Sequence, residues 1–390
     1  MRPQEVRAVG RLGARTFADA VTHVERVHGA IATRAFRPAS AAGAPARYTH
    51  DAIAKLVYAC VRGAGQGVGL AGAEIASLLS AARPADDSIA PSPRTNPAQS
   101  ILNAALGDKL AAHDDPLAIR MAVRRDGRDV SRVADAFPDA TSAVAVFLHG
   151  LAENEDSWGR RFGAGLRSDF GLTPVYVRYN TGRHISDNGR ELARLLTDLV
   201  DEWPTLVDQI VIVGHSMGGL VARSACHYGV ATSAPWTAVV TDVFYLGSPH
   251  TGAALERLAS KLGWALGHLS ETRPYADLVN VRSAGIKDLR YGYIIEEDWD
   301  GCDADACLQN HRHEVDLLET ANHYAISAAV SGVSAPLVGD LFVHPTSARG
   351  PLPVDRHRHL GGLHHFDLLN HPRVYEAMRS WLEAQPTARP

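Results

Sequence analysis

The clearest chemical signal in the chain is Gly214-His215-Ser216-Met217-Gly218, a serine flanked at two-residue spacing by glycines. A serine hydroxyl is a poor nucleophile until a neighbouring base takes its proton. G-x-S-x-G is the spacing that lifts such a hydroxyl onto a sharp strand-to-helix turn. The flanks fit that turn. An unbroken apolar run, QIVIV (209–213), leads in, and GLVARSACHYG (219–229) runs out with helical character. Glycines on both sides avoid the clashes that side chains would make there, and the hydroxyl is aimed near a helix N-terminus, where developing negative charge is favoured. The bare five-residue pattern is weak, and a strand–helix loop that merely contains a serine would also satisfy it.

The transition state of acyl transfer needs two amide donors on one oxygen. One is the N–H of Met217. The other is expected from the loop after the third strand, which is Leu148-His149-Gly150-Leu151 directly after AVAVF; Gly150 lets the backbone approach closely and Leu151 supplies the N–H. Chain order for this arrangement is serine, acid, histidine. The strand YAISAAV (324–330) is followed by Leu337-Val338-Gly339-Asp340, which makes Asp340 the acid, with Asp355 as runner-up. A carboxylate there would fix the tautomer of the base without taking its proton. The histidines that could serve as base crowd into RHRHLGGLHHFDLLNHP: His357, His359, His364 and His365.

Elements able to position these groups follow from the apolar pattern. From about residue 115, strands alternate with helices: Leu117 to Val123, Ala143 to Leu148, Thr173 to Tyr179, a helix from Asp187 to Trp203, Gln209 to Val213, the helix after Ser216, Ala238 to Leu246, and a last helix from Asn370 to Trp381. Gly361 and Gly362 read as a flexible loop before that helix. Alternation of this kind predicts an α/β fold, a mostly parallel sheet with helices on both faces, whose chemistry gathers at the carboxyl ends of the strands. Residues 1–97 read as a helical extension with a Pro- and Ser-rich linker, and 98–390 as the catalytic domain. The apolar stripe Phe17, Val21, Val24, Ile31 and Ala35 suits packing on the chain's own domain, self-association, or contact with a lipid surface.

Composition excludes some partners. The chain has 390 residues, 46% hydrophobic and 21% charged, with a formal net charge of −4, which gives no reason to expect nucleic acid. No apolar stretch reaches spanning length; the nearest, Gly63 to Ala82, is interrupted by Gln66 and Glu74. Met1 to Gly13 lacks a continuous apolar run and a cleavage site, so a cytoplasmic location is expected. The spacing of Cys302 and Cys307 matches no redox or zinc pattern, although the two could bridge in an oxidising compartment. The histidines show no helical pairing with a carboxylate, so no metal or other cofactor is expected.

Taken together, FLHGLAENEDSW (147–158), VYVRYNTGRHISDNG (175–189), VIVGHSMGGLVARSA (211–225), YLGSPHTGA (245–253), LVGDLFVHPTSA (337–348) and GLHHFDLLNHP (362–372) resemble lipase-like α/β-hydrolases, among them bacterial esterase/lipase proteins related to the GPI inositol-deacylase family. The resemblance implies the α/β-hydrolase fold and hydrolysis of a small-molecule or lipid ester. It carries the base onto His365, leaves His364 as its neighbour, and matches the Asp340 segment to the loop that bears the acid. It does not fix the ester.

A long insertion at about 250–323, with Leu255, Leu258, Leu262, Trp264, Leu266 and Leu269 and then Tyr291, Tyr293 and Trp299, suits a cap that shapes an acyl pocket, or a plain structural insertion. Beside the strand ends, Arg183 and His184 are candidate substrate contacts, and turn and cap roles account for the same stretch. His149 is a third candidate contact, or a buttress of its loop. The acidic run Glu153 to Asp156 is expected to start a helix, whose positive end favours carboxylates. Rival readings are an acyltransferase or amidase on the same three residues, and a non-catalytic lipid-surface scaffold led by the N-terminal helices. Chemistry through a carboxylate nucleophile is disfavoured by serine at the turn.

Overall fold

A computed structural model describes residues 96–253, 283–302, 310–329, 340 and 343–384, together with 7–8, 10–15, 18–19, 22, 25–26 and 55. Most of the N-terminal helical pattern, the leucines of the insertion, Cys60, Cys307 and Leu337 to Gly339 lie outside these residues. By contacts the chain divides into two compact units, and the sheet and the candidate site belong to the one made of Pro91–His113, Ala118–Leu258 and Arg282–Pro390.

That unit is built on one eight-stranded sheet. Its strands are β1 (Ala122–Arg125), β2 (Arg128–Asp129), β3 (Ala143–Leu148), β4 (Thr173–Arg178), β5 (Gln209–His215), β6 (Val240–Leu246), β7 (Asn322–Ala329) and β8 (His357–Gly361), in the spatial order β2-β1-β4-β3-β5-β6-β7-β8. β1 pairs antiparallel with β2 and with β4; every pairing from β4 through β8 is parallel. The principal helices are α1 (Asn96–Ala112), α2 (Arg161–Phe170), α3 (Ile185–Asp201), α4 (Met217–Ala231), α5 (Ala284–Asp288) and α6 (Pro372–Glu383).

The period-two alternation of each strand sorts its side chains onto two cores. Val144, Val146, Ile210, Ile212 and Val243 face Leu192, Leu196 and Leu199 of α3 and Leu220, Val221 and Ala225 of α4. Ala145, Phe147, Val211, Val213 and Phe244 face Phe162 and Leu166 of α2 and Val374, Ala377 and Met378 of α6. Because both faces are covered, the central strands read as continuous apolar runs. The expected class, α/β with a mostly parallel sheet and helices on both faces, is the class observed.

Three local expectations need correction. The first strand begins at Ala122, not Leu117, because the Asn103 side chain of α1 takes the Ile119 amide at 2.8 Å, away from any ladder. Gly361, expected in a flexible loop, is the last residue of the edge strand β8, of which Leu360 alone is buried. The acidic run starts a single 3-10 turn, Glu155–Trp158, capped by Asn154; the helix proper begins at Arg161.

Candidate active site

At the end of β5 the chain turns abruptly at Ser216, whose φ of 50° and ψ of −118° are sparsely populated for a residue with a side chain. The turn is held by the Ser216 amide donating to the Leu246 carbonyl at 2.8 Å and the Gly219 amide donating to the Ser216 carbonyl at 3.2 Å. Close approach explains its glycines. A Cβ on Gly214 would lie 2.5 Å from the Gly219 nitrogen, and one on Gly218 would lie 2.2 Å from the Leu148 carbonyl oxygen. Ser216 is half-buried. Among the described residues its hydroxyl makes no hydrogen bond; the turn alone fixes where it stands.

Met217 opens α4, so its amide has no partner inside the helix. Leu151 lies in the loop after β3, where Gly218 packs against the Leu148 and His149 carbonyls. Among the described residues, neither the Leu151 nor the Met217 amide donates to a protein acceptor. The Glu153 side chain shapes that loop: its Oε2 accepts the Gly150 amide at 2.6 Å.

Asp340 and His365 are brought together although 25 residues separate them. Oδ2 of Asp340 lies 2.6 Å from Nδ1 of His365, and both residues are buried, at 1% and 4% exposed. The second carboxylate oxygen accepts the Val343 amide at 2.8 Å, which fixes the orientation of the acid. The loop bearing the histidine is tied down as well, since the Gly362 and Leu363 amides both donate to the Ala329 carbonyl at the end of β7. Gly247, with φ of 63°, makes room for the ring: a Cβ there would come within 3.0 Å of Cε1 of His365. Burial draws the His365 pKa below the ordinary imidazole value and the nearby His215 ring adds to that, against the opposing pull of Asp340. The competing residues stand elsewhere. His364 is exposed and pairs with Asp367 at 3.2 Å, and Asp355 is exposed in a 3-10 turn before β8.

The three candidate substrate contacts are engaged with protein. His149 is fully buried; its Nδ1 donates to the Gly150 carbonyl at 2.9 Å, its Nε2 accepts the Tyr179 amide at 3.3 Å, and Tyr179 stacks on the ring. It has no ring atom left for a ligand and buttresses the loop. Arg183 pairs with Glu191 and reaches Asp187 at 4.0 Å. His184 is hydrogen-bonded to the buried Asp288 of α5 and stacks flat on Trp299 with centroids 3.7 Å apart, which secures the segment 283–302 instead of offering a free ring.

Sequence reasoning missed the group that joins these parts. Nδ1 of His215 lies 3.0 Å from Oε2 of Glu153, and Nε2 of His215 lies 3.2 Å from the His365 carbonyl. One buried pair thus links the loop after β3, the turn at Ser216 and the loop of His365. The only signal available was an acidic residue three positions after Gly150 and a histidine immediately before Ser216. Phe366, 49% exposed, borders two surface cavities beside this centre: one of about 450 Å³ with Ala152, Glu153 and Leu369, the other of about 370 Å³ with Arg160 and Arg161. Among the described residues no group of three or more His, Cys, Asp or Glu is arranged to hold a metal ion, and no helix is long and apolar enough to cross a membrane. Cys226 and Cys302 are free thiols.

Residues 141–317 match the family profile described as a PGAP1-like alpha/beta domain. Among solved structures the chain is similar to the Bacillus licheniformis lipase BlEst2. In the mature form the identity is 18%, over 62% of this chain and 91% of that one, with a TM-score of 0.42. In the propeptide form it is 18%, over 64% and 52%, with a TM-score of 0.45. An alpha/beta hydrolase fold protein from Chitinophaga pinensis is 9% identical over 63% of this chain and 91% of that one, with a TM-score of 0.39. No curated protein sequence matches the chain.

Proposed function

On the premise that the chain is a lipase-like α/β-hydrolase, we propose that it hydrolyses carboxylic esters through an acyl-serine on Ser216, with His365 as base and Asp340 as the acid that orients it. The observation that carries this reading is the buried 2.6 Å contact between Asp340 and Nδ1 of His365, in a loop bonded through its own carbonyl to the residue before Ser216.

With Nδ1–H committed to Asp340, the other ring nitrogen is the one able to accept a proton. In the first half-reaction it takes the Ser216 proton as Oγ attacks the ester carbonyl. The carbonyl oxygen becomes an oxyanion, met by the Leu151 and Met217 amides, and the proton passes to the departing alcohol. In the second, His365 deprotonates water, which attacks the acyl-serine; the acid leaves and Oγ regains its proton. Asp340 stays ionised and stabilises the transient imidazolium. In this reading residues 98–390 make up the catalytic domain, residues 1–97 an extension, and 250–323 a cap insertion.

Ser216→Ala is expected to lower kcat on a p-nitrophenyl ester by about 10⁴–10⁶ while the circular dichroism spectrum and Tm stay unchanged. A fluorophosphonate should label Ser216 alone. Near-native turnover by that variant would end the proposal.

A further inference from the structure

His215 is fully buried, and both of its ring nitrogens face oxygen atoms: Oε2 of Glu153 at 3.0 Å and the His365 carbonyl at 3.2 Å. A carbonyl only accepts hydrogen bonds, and so does an ionised carboxylate. Glu153 already accepts the Gly150 amide on the same oxygen at 2.6 Å, a contact that favours the ionised form. Two acceptors require two N–H groups, and a ring with two is an imidazolium. A neutral ring would set a nitrogen lone pair against an oxygen lone pair where no water can relieve it.

We propose that His215 is a buried imidazolium clamped between Glu153 and the His365 carbonyl, and that this fixed pair positions the three loops of the site and holds down the proton affinity of the His365 ring. The centroids of the two rings are 4.7 Å apart, so a second positive charge on His365 must form beside an existing one. Glu153 from the loop after β3, Asp340 after β7 and His365 itself are the titratable groups facing the ring, and His149 acts on Glu153 from the far side of that loop; Trp158 and Phe366 pack around the ring without charge. Burial alone would lower the His215 pKa, but the Glu153 carboxylate, the His365 carbonyl and Asp340 outweigh it and the value stands above that of ordinary imidazole. Glu153 is depressed in turn: burial pushes its carboxyl up, and His215 with the Gly150 amide more than reverses this. His215 and Glu153 are positioning residues, acting through their neighbours and not on substrate.

The effect on the base rests on the ester-hydrolase reading; the charge on His215 does not. ¹⁵N-histidine NMR of the full chain at neutral pH tests the charge, with His215 assigned by loss of its signals in His215→Gln. Two protonated ring nitrogens are expected in the wild type. In Glu153→Gln the amide can divide the two roles of the carboxylate, oxygen to Gly150 and nitrogen to His215, which leaves a neutral ring with hydrogen on Nε2 only. A single N–H on the wild-type ring would overturn the proposal. The second arm is the acid limb of kcat/KM. It should move to higher pH in the order wild type, Glu153→Gln, His215→Gln, by roughly half to one pH unit overall, because the last variant removes the cation and leaves Glu153 ionised. A slower enzyme with an unmoved limb reduces the pair to structural support and also overturns it. If the chain hydrolyses no ester, the same order read from the His365 ring titration by NMR decides the matter, and the two failures stay distinct.

Discussion

Glu153 and Glu155 lie two residues apart, both are largely buried, and they serve opposite ends. Glu155 accepts from Nε of Arg124 at 2.8 Å and from Nε and a terminal nitrogen of Arg178 at 2.6 Å each, which pins β1 and β4 to the turn that follows β3. Glu153 faces a histidine and a backbone amide. Burial pushes both carboxyls up, and their cationic neighbours bring both below the usual value. What separates them is the partner. An arginine keeps its charge at any accessible pH, so that cluster is a permanent fixture of the scaffold. A histidine can discharge, so the other cluster can respond to protons, and it sits beside the residues proposed to move one.

The largest effect expected around these clusters is on turnover. Asp340→Asn keeps the shape of the acid but lets the His365 ring adopt the wrong tautomer, and kcat should fall by about 10³–10⁴ with little change in Tm. Next comes Glu155→Gln, which takes the carboxylate from the buried Arg178 and leaves Arg124 only Asp129 and the Gly127 carbonyl; about 3–5 kcal/mol of stability should be lost in urea unfolding, with the pH profile of the surviving enzyme unmoved. A third test uses a histidine that has no carboxylate. His323 accepts from the Tyr245 hydroxyl and donates to the Leu318 carbonyl, and its pKa is lowered to about 4, chiefly by burial. The unfolded chain takes up that proton below about pH 6.5 while the fold does not, so this residue withdraws about 3 kcal/mol as pH falls from there to 4. His323→Gln should flatten the acid side of the stability curve. Smallest of all, Glu153→Gln should cost no more than about 1 kcal/mol in the same urea assay, because His215 sheds its proton. A loss as large as that of Glu155→Gln would break the contrast.

Much of this was legible in the sequence. Apolar runs such as AVAVFL and QIVIV marked the central strands, because strands covered on both faces have little choice but to be apolar throughout. Gly214 and Gly218 were readable because only glycine fits where backbones nearly touch. β8 was not readable: HRHLG puts a single side chain inside, so no periodicity marks it. α1 escaped for a related reason, since it buries Ser100 and Asn103 beside Ala104 and Leu110, which blurs an apolar stripe. The bond between Glu153 and His215 depends on three loops meeting, and no local pattern encodes such a meeting. Asp340 and His365 were placed by chain order and family likeness, and their contact spans a stretch that composition alone could not bridge.

The sheet ends on one side in β2, two residues long, and on the other in β8, where Arg358 and His359 are exposed. Open strand borders invite a second chain to dock by main-chain pairing, and a short or cationic border discourages it. Among the described residues the sheet is thereby guarded against fibril-like stacking at both margins, and replacing Arg358 and His359 with valine would turn β8 into a sticky rim.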